Sequence, residues 1–259
     1  MPGNFCGPRL AVAILMIALV TCGSSYAARG SRAPESSDSV TVVIDAGHGG
    51  HDRGGIPGQR IAEKDMTLDV AQRLRNVLSA SGYRVVMTRD SDIFVPLPTR
   101  VAIANSYRNA IFVCIHFNAT NRMGASGIET YFYSRDSLPL ASAVHYHVTG
   151  GAPSANRGVR RRGYYVLRKT AIPAVLVECG FLTNPTEAAY AQTASYRQKL
   201  ADEIATGVRE RNSLGSASFI DQTKVAKSER HKSKRSHKKN ARKKKNSSKP
   251  SGAEEASAQ

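Results

Sequence analysis

Residues 41–50 read Thr41-Val42-Val43-Ile44-Asp45-Ala46-Gly47-His48-Gly49-Gly50, and this stretch decides the fold. Its first half is an apolar run ending in glycine, the pattern of a strand buried on both faces, which belongs to a parallel sheet covered by helices. Working outward, Val70, Leu74, Val77 and Leu78 fall on one helical face between Asp65 and Ser81, and Gly82 stops the helix. YRVVMTR (83–89) reads as the next strand, and a short helix is expected around Thr99–Tyr107, after Pro96 and Pro98. AIFVCIHFNA (110–119) and GIETYFY (127–133) read as two more strands, with a helix over Leu138–Val148. GYYVLRK (163–169) and AVLVECGF (174–181) complete the strand set, and Tyr196, Leu200, Ile204 and Val208 mark a last helix. The reading is α/β: a single domain over residues 41–212, with a mostly parallel sheet of about six strands flanked by helices.

Both ends of the 259-residue chain differ in character from this core. Residues 10–20 (LAVAILMIALV) are too short an apolar run to span a bilayer but match the core of a secretory signal peptide. Ser25 and Ala27 then supply the small residues of a cleavage site, giving an expected signal peptide over 1–27. The other reading of the same segment makes Cys22 the acylated cysteine of a lipoprotein, although Thr21 fits that signal poorly. Residues 28–40 are a polar linker. The net charge of +17 is concentrated at the far end, where residues 221–259 hold thirteen Lys/Arg against four acidic residues and one valine as their only large aliphatic side chain. Such a segment has too little apolar surface to offset the entropy of ordering, so 213–259 is expected to be a disordered basic tail. It reads either as an electrostatic attachment to an anionic envelope surface or as a solubilising extension. Nucleic acid, suggested by charge alone, is not an in vivo partner expected of an exported protein. Only Cys114 and Cys179 remain in the expected mature chain, as buried free thiols rather than a disulfide framework.

Polar clusters interrupt the strands where ligands gather in an open α/β sheet, at the carboxyl ends. They are Asp45–Gly50, His116–Ala119 and Glu178–Gly180, with Glu63-Lys64-Asp65 in the loop after the first strand. Two histidines and a carboxylate form a ligand set for catalytic zinc that leaves a position open for water. A further carboxylate is then needed to take the water's proton and return one to the leaving nitrogen. Taken singly, each residue has a plainer reading: His116 as a strand-end histidine, Glu63 as a helix N-terminal acid, Glu178 as one half of an ion pair. Strand alternation sets Cys114 on the face of His116, as a packing residue, and His51 reads as a solvent-exposed loop histidine.

The ordered series VVIDAGHGG, AEKD, GYRVVMTRD, IHFNA, GIETYFY, YYVLRK and AVLVECGFLTNPTEA resembles the zinc-dependent N-acetylmuramoyl-L-alanine amidases of the AmiA, AmiB and AmiC type. The resemblance runs across residues 41–212. It implies hydrolysis of the amide between N-acetylmuramic acid and L-alanine of the peptidoglycan stem peptide. It also implies a zinc cofactor held by His48, Glu63 and His116, with Glu178 as the catalytic glutamate. Ala46 stands where proline is common in the family, and Cys114 where a less reactive residue is usual.

Some relatives carry a long insertion before the YYVLRK motif, forming a helix that blocks the metal. Here about thirty residues separate Tyr133 from Tyr164 and hold one short helix and a basic loop over Arg157–Gly163, so an open groove is expected. The partner expected is peptidoglycan, the oligomeric state a monomer, and the location the periplasm or cell envelope. A zinc peptidase cutting within the stem peptide needs the same residues and stands as the alternative enzyme. A non-catalytic wall-binding protein should lack a ligand or Glu178, and all four are present.

Overall fold

The computed structural model describes residues 40–212. The expected signal peptide (1–27), the linker (28–40, except its last residue) and the basic tail (213–259) lie outside the described residues. Strands β1 (Thr41–Ala46), β2 (Arg84–Met87), β3 (Ala110–Asn118), β4 (Ile128–Phe132), β5 (Asn156–Arg161) and β6 (Ala174–Phe181) form one sheet in the order β2-β1-β3-β6-β4-β5. Every pairing is parallel except β4 with β6. This is the mostly parallel six-stranded sheet read from the sequence.

Helices α1 (Glu63–Ala80), α3 (Leu138–Gly151) and α6 (Ala194–Glu210) cover one face of the sheet. Val70, Leu74 and Leu78 of α1 and Leu200, Ile204 and Val208 of α6 are fully or almost fully buried there against Val42, Ile44, Val113, Ile115 and Val177. Their four-residue spacing puts one stripe of each helix on the sheet, which is why the amphipathic pattern was readable. Gly207 permits the closest approach, since a Cβ there would stand 2.4 Å from the Val144 backbone of α3. The second face is thinner. It carries α2 (Leu97–Asn105) and α4 (Tyr165–Lys169), packed on Val43, Phe112, Cys114 and Leu176. No helix of the described residues is long and apolar enough to cross a membrane.

Two expectations are corrected. The strand anticipated at 163–169 is instead the short helix α4, and the strand is Asn156–Arg161, in what reads as a basic loop. Adjacent Val166 and Leu167 are both buried on the second face, which a helical turn achieves and an alternating strand does not. NRGVRR lies at the sheet edge, where pairing with β4 on one side suffices and no apolar alternation is required. The strand expected over 174–181 is β6 itself, and Glu178 lies within it, three residues before its end at Phe181. An additional helix, α5 (Pro185–Gln192), begins at Asn184, whose side chain accepts hydrogen bonds from the Thr186 and Glu187 amides. Asparagine before proline is a start signal for which the sequence reading made no allowance.

Candidate metal centre

Alternation along β3 and β6 sends Cys114, His116, Leu176 and Glu178 to the second face, the one that carries α2 and α4. In the β3–β6 register His116 lies directly opposite Glu178. The next pairing, β6 with β4, sets Glu178 opposite Glu129. One row across three strands therefore carries a histidine and two carboxylates.

Glu63 enters from the first turn of α1, so it is both a helix N-terminal acid and part of this cluster. Its Oε1 accepts from His116 Nδ1 at 2.8 Å and from the Phe117 amide at 3.0 Å, while its Oε2 stands 3.1 Å from His48 Nε2. One donor atom from each of His48, Glu63 and His116 can be chosen so that all lie within 4.8 Å of one another. Ligand atoms around a tetrahedral zinc are separated by about 3.3 Å, from bond lengths near 2 Å. Donor type, number and spacing thus fit a zinc with a coordination position to spare.

Without a metal the three groups share protons. Burial works against a charge on His48, but Glu63 and Asp52 outweigh it and push the imidazole up to about 9. Burial likewise opposes ionisation of Glu63, yet hydrogen bonds from His116 and His48 bring it down to about 2. Glu178 has no such partners. Burial pushes its carboxyl up to about 7, with His116 pulling back and the Glu63 and Glu129 charges adding to the rise. Its Oε2 is sealed from solvent without a hydrogen-bond partner. A carboxyl poised near neutrality beside a group of metal donors suits a proton carrier.

The loop bearing His48 is held by residues the sequence reading passed over. His48 has φ of 60°, the left-handed region, which costs a residue with a Cβ about 1–2 kcal/mol. Two buried arginines fix that conformation through the loop's carbonyls. Arg100 donates to Ala46 O, to His48 O and to the buried Asp45 carboxylate, each at 2.7 Å. Arg89 donates to Ala46 O at 2.9 Å and to Gly47 O at 2.8 Å. Asp45 also accepts from Thr88 Oγ1 and from Cys114 Sγ, so Cys114 is the packing residue expected and its thiol is tied up beneath the site. Asp52 completes the loop: its Oδ2 accepts from His48 Nδ1 at 2.8 Å and its Oδ1 from the Gly54 amide at 3.1 Å. That contact fixes the imidazole so that Nε2 faces Glu63. An HxxxD spacing in a glycine-rich turn was the only local signal for it. Gly47 is required for contact, since a Cβ there would lie 2.4 Å from His116 Cε1.

An open cleft over these groups is lined by Leu97, Asn118, Tyr164, Tyr165 and Val166. The segment 133–164 contributes α3 to the opposite face, so that helix does not cover the donors, in keeping with the open groove expected. His51 is exposed, as read, with its ring 4.2 Å from Phe94. Cys114 and Cys179 are buried free thiols.

The model of the family described as N-acetylmuramoyl-L-alanine amidase matches residues 42–210. The chain belongs to that family. YqiI of Bacillus subtilis is 36% identical to this amidase over 200 residues, which are 75% of this chain and 96% of YqiI. The N-acetylmuramoyl-L-alanine amidase LytC of the same organism is 36% identical over 171 residues, 64% of this chain but only 34% of LytC, so the amidase spans about a third of that relative. The N-acetylmuramoyl-L-alanine amidase structure from Clostridium difficile 630 superposes with a TM-score of 0.66 at 35% identity, over 70% of this chain and all of the other. Membership assigns the amidase to peptidoglycan turnover.

Proposed function

We propose that this protein is an exported, zinc-dependent N-acetylmuramoyl-L-alanine amidase in which His48, Glu63 and His116 hold the metal and Glu178 carries the proton. The observation that bears most weight is the convergence of the three donors beside a carboxylate with one sealed, unpartnered oxygen. Zinc bound there supplies Lewis acidity to the scissile carbonyl and to the attacking water. Glu178 takes the water's proton and hands it to the departing L-alanine nitrogen, so that the amine leaves neutral. Its neighbours support both halves of that cycle: burial and the Glu129 charge favour the protonated form, and His116 favours the ionised one. Asp52 orients His48, and the Phe117 amide orients Glu63. Export by the N-terminal segment delivers the enzyme to its substrate, and the basic tail supplies attachment to anionic envelope polymers. With α3 on the far face, basal activity is expected without an activator.

The test is digestion of purified peptidoglycan by the metal-free and zinc-loaded protein, with released fragments identified by mass. Intact stem peptides beginning at L-alanine, released only with zinc, are the expected products. Fragments cut inside the stem peptide would refute the bond assignment, and undiminished activity of Glu178→Gln would refute the proton role.

A further inference from the structure

Beside the cleft, on the far side of Glu178 from the metal donors, a second charged cluster takes no part in the chemistry above. Glu129 is 2% exposed and lies opposite Glu178 in the β4–β6 register. Arg157 Nε stands 3.2 Å from its Oε2, and Arg160 Nη1 3.1 Å from its Oε1. Tyr131 donates to the same carboxylate at 2.8 Å, and Asn118, which lines the cleft, reaches it at 3.5 Å. Two guanidinium groups thus face one carboxylate. Neither Glu129 Oε1 nor Arg157 Nε has a partner in hydrogen-bond geometry, so the two arginines act on Glu129 through charge while Tyr131 and Asn118 supply its hydrogen bonds. Residues 156–163 add Arg161 and Arg162 and contain no acid. The neighbouring Glu187 is no counter-ion, because the Gly127 and Phe181 amides and the Ser154 hydroxyl occupy it. An excess of positive charge is left beside Glu129, on side chains 34% and 28% exposed.

Both arginines are also held in place. The Arg157 guanidinium lies 5.0 Å over the Phe181 ring and donates to Ser126 O, and Arg160 donates to Arg157 O. Side chains already fixed lose little entropy on binding, and their planar forks match a carboxylate. From β6 to β5 is two strand spacings, about 10 Å. An extended peptide covers that distance in about three residues. The opposite rim is apolar and aromatic, with Leu97 and Phe94 51% and 44% exposed and His51 against Phe94, which suits the uncharged glycan.

Resting on the amidase reading, we propose that Arg157 and Arg160 form a subsite for a carboxylate on the departing peptide, carried two or three residues beyond the scissile bond. The excess charge left by Glu129 is the substrate's to neutralise. The subsite makes the enzyme selective for stem peptides whose acids are free rather than amidated.

The experiment compares two muramoyl tripeptides, identical except that the carboxyl groups of the second and third residues are free in one and carboxamides in the other. With the zinc-loaded full chain, amidation is expected to lower kcat/KM about 10- to 100-fold, the worth of a hydrogen bond to a charged group, and to do so through KM. In Glu129→Gln/Arg157→Gln/Arg160→Gln, which removes the carboxylate and both guanidinium groups and with them the excess charge, the ratio between the substrates should collapse toward one whatever the absolute rate. The wild-type comparison carries no folding risk. Equal KM for the two peptides in the wild type overturns the subsite while leaving the amidase reading intact. Hydrolysis of neither peptide overturns the amidase reading and the subsite with it.

Discussion

Replacing Glu178 with glutamine should stabilise the metal-free protein at the pH where it destroys the enzyme. The carboxyl is held at about 7 in the fold, against 4.5 for an ordinary glutamate, because burial disfavours its charge. A group raised in this way binds its proton more tightly folded than unfolded. Its contribution is fully present below pH 4.5 and is lost as pH rises through 7, leaving a buried charge that works against the fold. The span from 4.5 to about 7 is worth about 3 kcal/mol. Glutamine has nearly the same shape and no charge to bury. For a domain of this size, each kcal/mol moves Tm by about 2–4 °C. Calorimetry of chelator-treated protein should therefore show Glu178→Gln melting roughly 6–12 °C above wild type at pH 8. At pH 4 the two should melt together. Activity of the zinc-loaded variant should meanwhile fall about 10²- to 10⁴-fold, the usual worth of a positioned acid–base group. A variant no more stable than wild type at pH 8, or equally stabilised at both pH values, would refute the account of a charge strained by burial.

The remaining expectations concern the support of the site. Asp52→Ala frees the His48 ring from its 2.8 Å partner and should weaken zinc about 10- to 100-fold in chelator competition, with activity recovered at excess zinc; unchanged affinity would show that Asp52 does not orient the ligand. Arg100→Met leaves Asp45, 1% exposed, without its cation and should cost about 3–5 kcal/mol in urea unfolding, part of which Asp45→Asn should restore. A loss confined to activity, with stability intact, would contradict that reading. Gly47→Ala drives a Cβ into the His116 ring, 2.4 Å from Cε1, and should cut activity roughly 10²-fold with the far-UV spectrum unchanged. Wild-type turnover there would mean that the ring has room to move.

Most of the layering was legible because burial imposes a period on each segment separately. Val70, Leu74 and Leu78 repeat with the helix, and VVI (42–44) and AIFV (110–113) are apolar throughout because both faces of the central strands are covered. The same logic failed at 156–169. An edge strand needs no apolar alternation, and a one-turn helix is too short to display a period, so NRGVRR passed for a loop and YVLRK for a strand. The four site residues were named through motifs, each of which places a reactive side chain beside the glycine or strand residue that presents it.

By itself, then, the sequence determined the sheet-and-helix architecture and singled out His48, Glu63, His116 and Glu178 as candidate site residues, since each of these depends on local composition or on a short motif. Only the tertiary structure decided that Glu178 faces His116 on one side and Glu129 on the other, and that Arg89 and Arg100 clamp a strained loop from 42 and 52 residues away. It also decided that Arg157 and Arg160 gather on Glu129, which lies opposite Glu178 in the sheet. Those facts follow from strand order and register, which bring distant segments into contact. No local periodicity records which strand will lie beside which.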